Sequence, residues 1–262
     1  MTSLLIDSGN SRIKWRWINC ESKSKNDHYI DISDLKLLAK YFSRDESVNS
    51  KPDRVLLANS AGQQREAEIT EIVFELWGVE CELVRSVESF DTLKNGYHNP
   101  AQLGVDRWLG MIASWSRLQE PFILIDSGSA ITIDLVCLVD GYGEHQGGVI
   151  LPSLGDSWDD FACKIPHLKE MPLIERGGEG SLIGKSTVEA MRLDLAGTAE
   201  SVRKVVQNIL KLHKQNGGNL PRVVVTGGGS AQLLNSITLG QSIKFTTVKS
   251  LVLDGLAILC DP

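Results

Sequence analysis

A chain of 262 residues, 42% of them apolar and 23% charged, suits one large globular domain or two of about 120–140 residues. Its formal net charge of −6, with no basic block, argues against nucleic-acid binding through a broad cationic surface. No apolar run approaches a membrane span, and five scattered cysteines without a Cys-x-x-Cys pair fit reduced thiols in a cytoplasmic protein.

Taken in order, residues 3–8 read as a short apolar strand that runs into Asp7-Ser8-Gly9-Asn10-Ser11. Asp7 also falls where a secretory leader would carry its apolar stretch. Residues 12–18 alternate polar and apolar, the pattern of a half-buried strand, and residues 29–32 make a third. Ser33 is placed to cap a helix with Leu35, Leu38, Ala39 and Phe42 on one face. A buried strand over 54–59, a helix over 63–77 closed by Gly78, and a strand over 79–84 follow. The segment 95–100 is a loop, and an apolar helix over 102–118 is expected to bridge two halves.

The second half repeats the order. Strands are expected over 122–126, 130–138 and 144–151, with a turn at Asp140-Gly141-Tyr142-Gly143. A helical region over 182–213 precedes a strand at 222–226, a short helix at 230–235, a strand at 243–248 and a last helix at 251–259. Leu124-Ile125-Asp126-Ser127-Gly128 repeats Leu5-Ile6-Asp7-Ser8-Gly9 letter for letter. A repeat at matching points of two halves points to duplication, with the halves facing each other across a cleft. The expected fold is therefore α/β, two RNase H-like halves each with a mixed five-stranded sheet and flanking helices. The halves divide at Glu120-Pro121 into 1–120 and 121–262.

The paired turns suggest chemistry. Small and Gly-rich turns let backbone N–H groups approach an anion, and an acidic strand end can hold a hydrated cation. Lys14 could meet a phosphate as a point charge. A lone Asp-Ser-Gly is more often a self-capping turn, but the duplication favours the nucleotide reading. Gly180 to Thr187 imitates a P-loop, with one residue too few between its glycines and a polar lead-in. It reads better as a helix entry. Asp106 and Arg107, where the 102–118 helix begins, either offer a proton acceptor and a guanidinium for an anion or are a favoured first-turn acid and an arginine paired with a neighbouring carboxylate. Thr226-Gly227-Gly228-Gly229-Ser230 is either a nucleotide approach or a packing turn. The five His residues, His98 in the loop included, show no metal spacing.

Asp7-Ser8-Gly9-Asn10-Ser11 with Lys14, Gly96-Tyr97, Gly104-Val105-Asp106-Arg107 and Asp126-Ser127-Gly128-Ser129-Ala130 occur in this order, followed by Gly147-Gly148-Val149-Ile150-Leu151-Pro152 and Thr187. Together they resemble a type III pantothenate kinase, of the acetate and sugar kinase/heat-shock ATPase/actin superfamily. The resemblance implies an actin-like ATPase fold and the phosphorylation of pantothenate to 4′-phosphopantothenate, the first step of coenzyme A biosynthesis. It implies ATP with Mg2+, and a first phosphate loop made by Asp7, Ser8, Gly9, Asn10, Ser11, Arg12, Ile13 and Lys14. Ser129 would touch ATP from the second turn, and Asp126 would bind a monovalent cation, potassium or ammonium. Tyr97, Gly104, Val105, Asp106 and Arg107 would line the pantothenate site, with Asp106 as proton acceptor. Thr187 would reach that site across a homodimer interface. The chain departs from the family in having Ser11 and Ser129 where Thr is usual, Ser153 after Pro152, and Asp194 where Gly is expected. A kinase of the same superfamily with another small substrate, or a nucleotide-binding regulator without turnover, are the competing readings.

Overall fold

The computed structural model describes residues 2–19, 26–43, 51–154, 193–215, 220–237 and 245–260. In chain order the elements are β1 (Thr2–Ser8), β2 (Arg12–Asn19), β3 (Asp27–Asp31), α1 (Leu38–Ser43), β4 (Arg54–Asn59), α2 (Gln63–Trp77), β5 (Cys81–Val84), β6 (Ser89–Phe90), β7 (Leu93–Lys94) and α3 (Val105–Leu118). They continue with β8 (Phe122–Ser127), β9 (Ala130–Val139), β10 (Tyr142–Pro152), α4 (Leu193–Gln215), β11 (Arg222–Thr226), α5 (Ser230–Ser236), β12 (Phe245–Thr247) and α6 (Leu251–Cys260). These fall into two compact units. One comprises Met1–Gln119, Leu138–His145 and Ser250–Pro262; the other comprises Glu120–Cys137 and Gln146–Lys249.

The first unit is built on a five-stranded sheet ordered β3-β2-β1-β4-β5. β1 and β2 pair antiparallel, as do β2 and β3, while β4 runs parallel to both β1 and β5. Strand alternation divides its side chains between two faces. Leu4, Ile6, Ile13, Trp15, Val55 and Leu57 form one core with Phe42 of α1 and Ile69 and Val73 of α2. The opposite face presents Leu5, Leu56 and Arg16, which lie in one row across the sheet. Helices α3 and α6 cover that face. They cross closely, because Gly255 lacks the side-chain carbon that would stand 2.3 Å from the Leu109 carbonyl oxygen.

Charge is buried with this second layer. The Arg16 guanidinium donates from Nε and Nη2 to both oxygens of Asp27, at 2.6 and 3.0 Å, and from Nη1 to Asp254 at 2.6 Å. Arg117 donates to the other oxygen of Asp254. The short hairpin β6–β7 also belongs to this unit, where Leu93 and Lys94 pair in parallel with Gly143 and Glu144 at the start of β10.

The second sheet has seven strands where five were expected, ordered β12-β11-β8-β9-β10-β7-β6, the last two being the hairpin just described; the five that repeat the first sheet are β12-β11-β8-β9-β10. β8 pairs antiparallel with β9 and parallel with β11, which is parallel to β12. Ile123, Ile125, Ile131, Ile133, Val223 and Val225 pack against Ala199, Val202, Val206 and Leu210 of α4 and Leu233 of α5. Each sheet thus places its first strand in the middle, between its second and its fourth. That is the duplicated RNase H-like α/β fold. Among the described residues no helix is long and apolar enough to cross a membrane. Cys81, Cys137 and Cys260 are free thiols, and burial pushes the Cys81 thiol up to about 11. Cys20 and Cys163 lie outside the described residues.

Two local expectations are corrected and one element is added. Ser33 is not a cap: Ile32–Leu37 forms a 3-10 turn with Asp31 at its N-cap position. The Ile32 amide donates to the Ser11 carbonyl, so the chain turns helical directly off the sheet, ahead of Ser33. The helix expected over 102–118 is two pieces. Pro100–Gln102 is a 3-10 turn capped by Asn99, and α3 starts only after Gly104. The β6–β7 hairpin was not anticipated. The start of the 182–213 helical region, the P-loop-like segment and residues 243 and 244 lie outside the described residues.

Burial alone would raise the Asp27 carboxyl, but Arg16, by hydrogen bond and charge, and a hydrogen bond from Ser250 hold it below its ordinary value. A depressed carboxylate stabilises the fold above its unfolded value of about 3.9, and that contribution is lost as pH falls through the lower folded value. Asp27→Asn is expected to lower stability at neutral pH and to flatten the loss of stability below about pH 4, measured as urea midpoints between pH 3 and 7.

Candidate active site

The turn between β1 and β2 sets Asp7 opposite Lys14 in the ladder, with Lys14 Nζ 3.7 Å from Asp7 Oδ2. The Gly9 amide donates to the Arg12 carbonyl at 3.0 Å, leaving Asn10 and Ser11 exposed at the tip. Ser8 and Ile13 are fully buried, so they can meet a ligand only through their backbone. The Ser8 carbonyl is already occupied, accepting from the Ser60 amide at 3.0 Å. Arg12 faces β3, paired with Asp31 at 3.0 Å and lying 5.2 Å from the Tyr29 ring centre. What the turn presents is therefore one partly exposed ammonium, a buried carboxylate and the amides of its tip.

The turn between β8 and β9 is one residue tighter. Ser127 pairs with Ile131, the Gly128 amide donates to the Ala130 carbonyl at 3.0 Å, and Ser129 forms the tip. Thr132 faces Asp126, so this ladder has no counterpart of Lys14. The Gly227 to Gly229 turn folds over the same residues. Gly227 has φ +93, and a side-chain carbon on it would lie 2.3 Å from the Ser127 carbonyl oxygen and 2.4 Å from Asp126 Oδ1. The Gly229 amide donates to the Ser127 carbonyl at 2.8 Å. Close backbone approach explains these glycines, which favours the packing reading of that turn. Among the described residues no group of three or more His, Cys, Asp or Glu side chains is placed to hold a metal. A cation at Asp126 would draw on carbonyl and hydroxyl oxygens, an all-oxygen set suited to a hard ion.

The third constellation lies where α3 begins. Gly104 is the N-cap residue, and the Trp108 amide donates to its carbonyl at 3.0 Å. Asp106 stands in the first turn, where the helix dipole favours a negative charge, and its Oδ1 accepts from the Arg107 amide at 2.8 Å. A side-chain carbon at position 104 would sit 2.6 Å from that same oxygen. The glycine of Gly-x-Asp-Arg is thus the space its aspartate uses. Val105 is buried as packing. The buried Arg107 donates from Nη1 to the Tyr97 hydroxyl at 2.7 Å, and the Tyr97 ring stacks on His145 at 5.6 Å with an interplanar angle of 16°. Asn95 holds the loop, its Oδ1 accepting from the Tyr97 amide at 3.0 Å and its Nδ2 donating to Val87 and Pro100.

Of the residues singled out from the sequence, Asp7 through Lys14 share one turn, Asp126 and Ser129 share another, and Tyr97 joins Gly104 through Arg107. Thr187 lies outside the described residues. His145 was missed. Its nearness to Gly147-Gly148 was the one available signal, and no short-range pattern links positions 97 and 145.

Two sheets of one strand order, each with an Asp-Ser-Gly turn at the end of its central strand, define the actin-like ATPase and sugar-kinase class of fold. Solved structures agree. A candidate 2-dehydro-3-deoxygalactonokinase from Sinorhizobium meliloti superposes with a TM-score of 0.60 at 13% identity, over 98% of this chain and 97% of its own. The activator of the 2-hydroxyisocaproyl-CoA dehydratase from Clostridium difficile, with bound ADPNP, gives 0.53 at 13% identity over 97% and 91%. Sequence narrows the class. Proteins called type III pantothenate kinase from Cellvibrio japonicus and Marinobacter nauticus are 31% and 32% identical, over 98% and 97% of this chain and 96% of each relative. The sequence model of type III pantothenate kinase matches residues 3–211. The chain belongs to the type III pantothenate kinase family, a family of phosphotransferases.

Because Asp106 occupies the space that Gly104 leaves, Gly104→Ala is expected to displace that carboxylate while the helix still forms. Catalytic turnover should fall by at least about tenfold, as expected when a positioned group moves by a fraction of an ångström, with far-ultraviolet circular dichroism unchanged.

Proposed function

We propose that this protein transfers the γ-phosphoryl group of ATP to the primary hydroxyl of pantothenate, giving 4′-phosphopantothenate for coenzyme A biosynthesis in the cytoplasm. The observation that carries this reading is the arrangement of Asp106, Arg107 and Tyr97 at the start of α3. Pantothenate is a carboxylate with a reactive hydroxyl, and these residues offer one tool for each end. The Tyr97 hydroxyl already accepts from Arg107, so its own proton is left to donate. A guanidinium and a phenol donor together suit a carboxylate. Asp106 has Oδ1 on the Arg107 amide and Oδ2 to receive the proton of the substrate hydroxyl as it attacks phosphorus.

Lys14, held beside Asp7, supplies a point charge for the phosphates, and the Asn10 amide at the tip supplies a directional donor. Ser129 would contact ATP from the second turn. Ser11 and Ser129 retain the hydroxyl of the usual Thr, so the hydrogen bond survives and only rotamer restriction is reduced. Phosphoryl transfer depends mostly on positioning and charge neutralisation. Magnesium carried by ATP and a monovalent cation, potassium or ammonium, at Asp126 would supply the rest of that neutralisation. Thr187 would complete the pantothenate site from a second copy of the chain, which makes the working form a homodimer. Residues 1–120 and 121–262 serve as the two halves of the duplication, each contributing one turn.

The test is purified protein with ATP, magnesium and pantothenate, followed for ADP and 4′-phosphopantothenate in potassium and then in sodium alone. Product that depends on potassium is expected. ADP without phosphopantothenate would point to a different acceptor. Asp106→Asn should lower kcat by roughly 10²–10⁴, the range for loss of a general base, with ATP binding by calorimetry unchanged; wild-type turnover in this variant would remove Asp106 from the role.

A further inference from the structure

We propose that His145 is a positioning residue of the substrate site, acting through Tyr97; the inference rests on the reading of Tyr97 and Arg107 as pantothenate ligands. Tyr97 comes from a loop, and the hydrogen bonds of Asn95 fix the loop's backbone without touching the ring. A tyrosine ring on a fixed backbone can still turn about two torsions. Two groups lie against it, the Arg107 guanidinium 5.5 Å from the ring centre and the stacked imidazole of His145, and the flat stacked partner is the one that sets the plane.

That imidazole is well placed to act as a rigid backing. His145 is 2% exposed and follows directly on Gly143 and Glu144, which pair with Leu93 and Lys94. Lys94 begins the loop that carries Tyr97. The backing ring and the root of the loop are therefore fixed to each other by one short stretch of ladder. The ring plane directs the phenol oxygen, and that oxygen holds Arg107 Nη1 at 2.7 Å. A ring free to swing would loosen the phenol and the guanidinium together. Only a flat side chain at 145 can hold the plane, so size without aromaticity is insufficient.

The experiment compares His145→Ala, His145→Gln and His145→Phe in the full-length protein. Both non-aromatic variants are expected to raise the pantothenate KM about 3- to 10-fold, the scale of one aromatic pair, with ATP KM near wild type. His145→Phe should return the pantothenate KM to within about twofold of wild type, since an offset-stacked ring is retained. In a Tyr97→Ala background His145→Ala should add nothing, because the ring it positions is gone. If His145→Ala does not fold, His145→Gln carries the comparison. An unaltered pantothenate KM in the non-aromatic variants, no rescue by Phe, or an undiminished effect in the Tyr97→Ala background would each overturn the inference while the kinase reading stands. A wild-type protein that does not phosphorylate pantothenate would overturn both.

Discussion

Asp254 is the point on which the first unit closes. Its two oxygens are taken by Arg16 from the sheet and Arg117 from α3, and Arg16 turns its other edge to Asp27 on β3. Arg16 and Asp254 are almost entirely buried, where an ion with its partner removed costs on the order of 3–5 kcal/mol. The network binds two strands and two helices into one body. Both functional stretches of the unit extend from it. Lys14 stands two residues before Arg16 on the same face of β2, and Asp106 opens the helix that Arg117 ends. The Asp7 to Lys14 turn and the proposed base are thus the outer ends of elements pinned at one ionic joint.

The two Asp-Ser-Gly turns show what duplication retains and what it releases. Ladder register, parallel fourth strand and buried second residue are common to both. The first turn adds a lysine opposite its aspartate and a two-residue tip. The second is shorter, carries threonine at the lysine's place and lies under a glycine turn with no room for a side chain. One copy has become cationic and the other all-oxygen.

Much of the architecture was legible because its signals are local. The alternation of 12–18, the apolar runs at 54–59 and 222–226, and Gly78 closing α2 in the left-handed conformation each follow from periodicity or backbone freedom within a few residues. So do the positions of Asp106 beside Arg107 and of Asp7 across from Lys14. What escaped depends on distant partners. The hairpin of β6 and β7 has two residues per strand, too few for any period, and exists because β10 pairs with it. Ser33 had the chemistry of a cap, but the Ser11 carbonyl, from the β1–β2 turn, decided where the turn begins. His145 and the ionic joint at Asp254 join residues 48 and 238 positions away, as tertiary contacts do.

The chain leaves the first unit after Gln119, revisits it for Leu138–His145 and returns for good at Ser250. Synthesis runs in that same order, so a nascent chain that has finished α3 still holds Arg16 and Arg117 without the carboxylate they share. The sheet can form early, but the face that α6 covers stays open and charged until α6 has been made. Folding of the unit that carries the proposed base must therefore wait for α6. A chain cut before α6 would hold every proposed site residue named above and still lack the counterion that seats them.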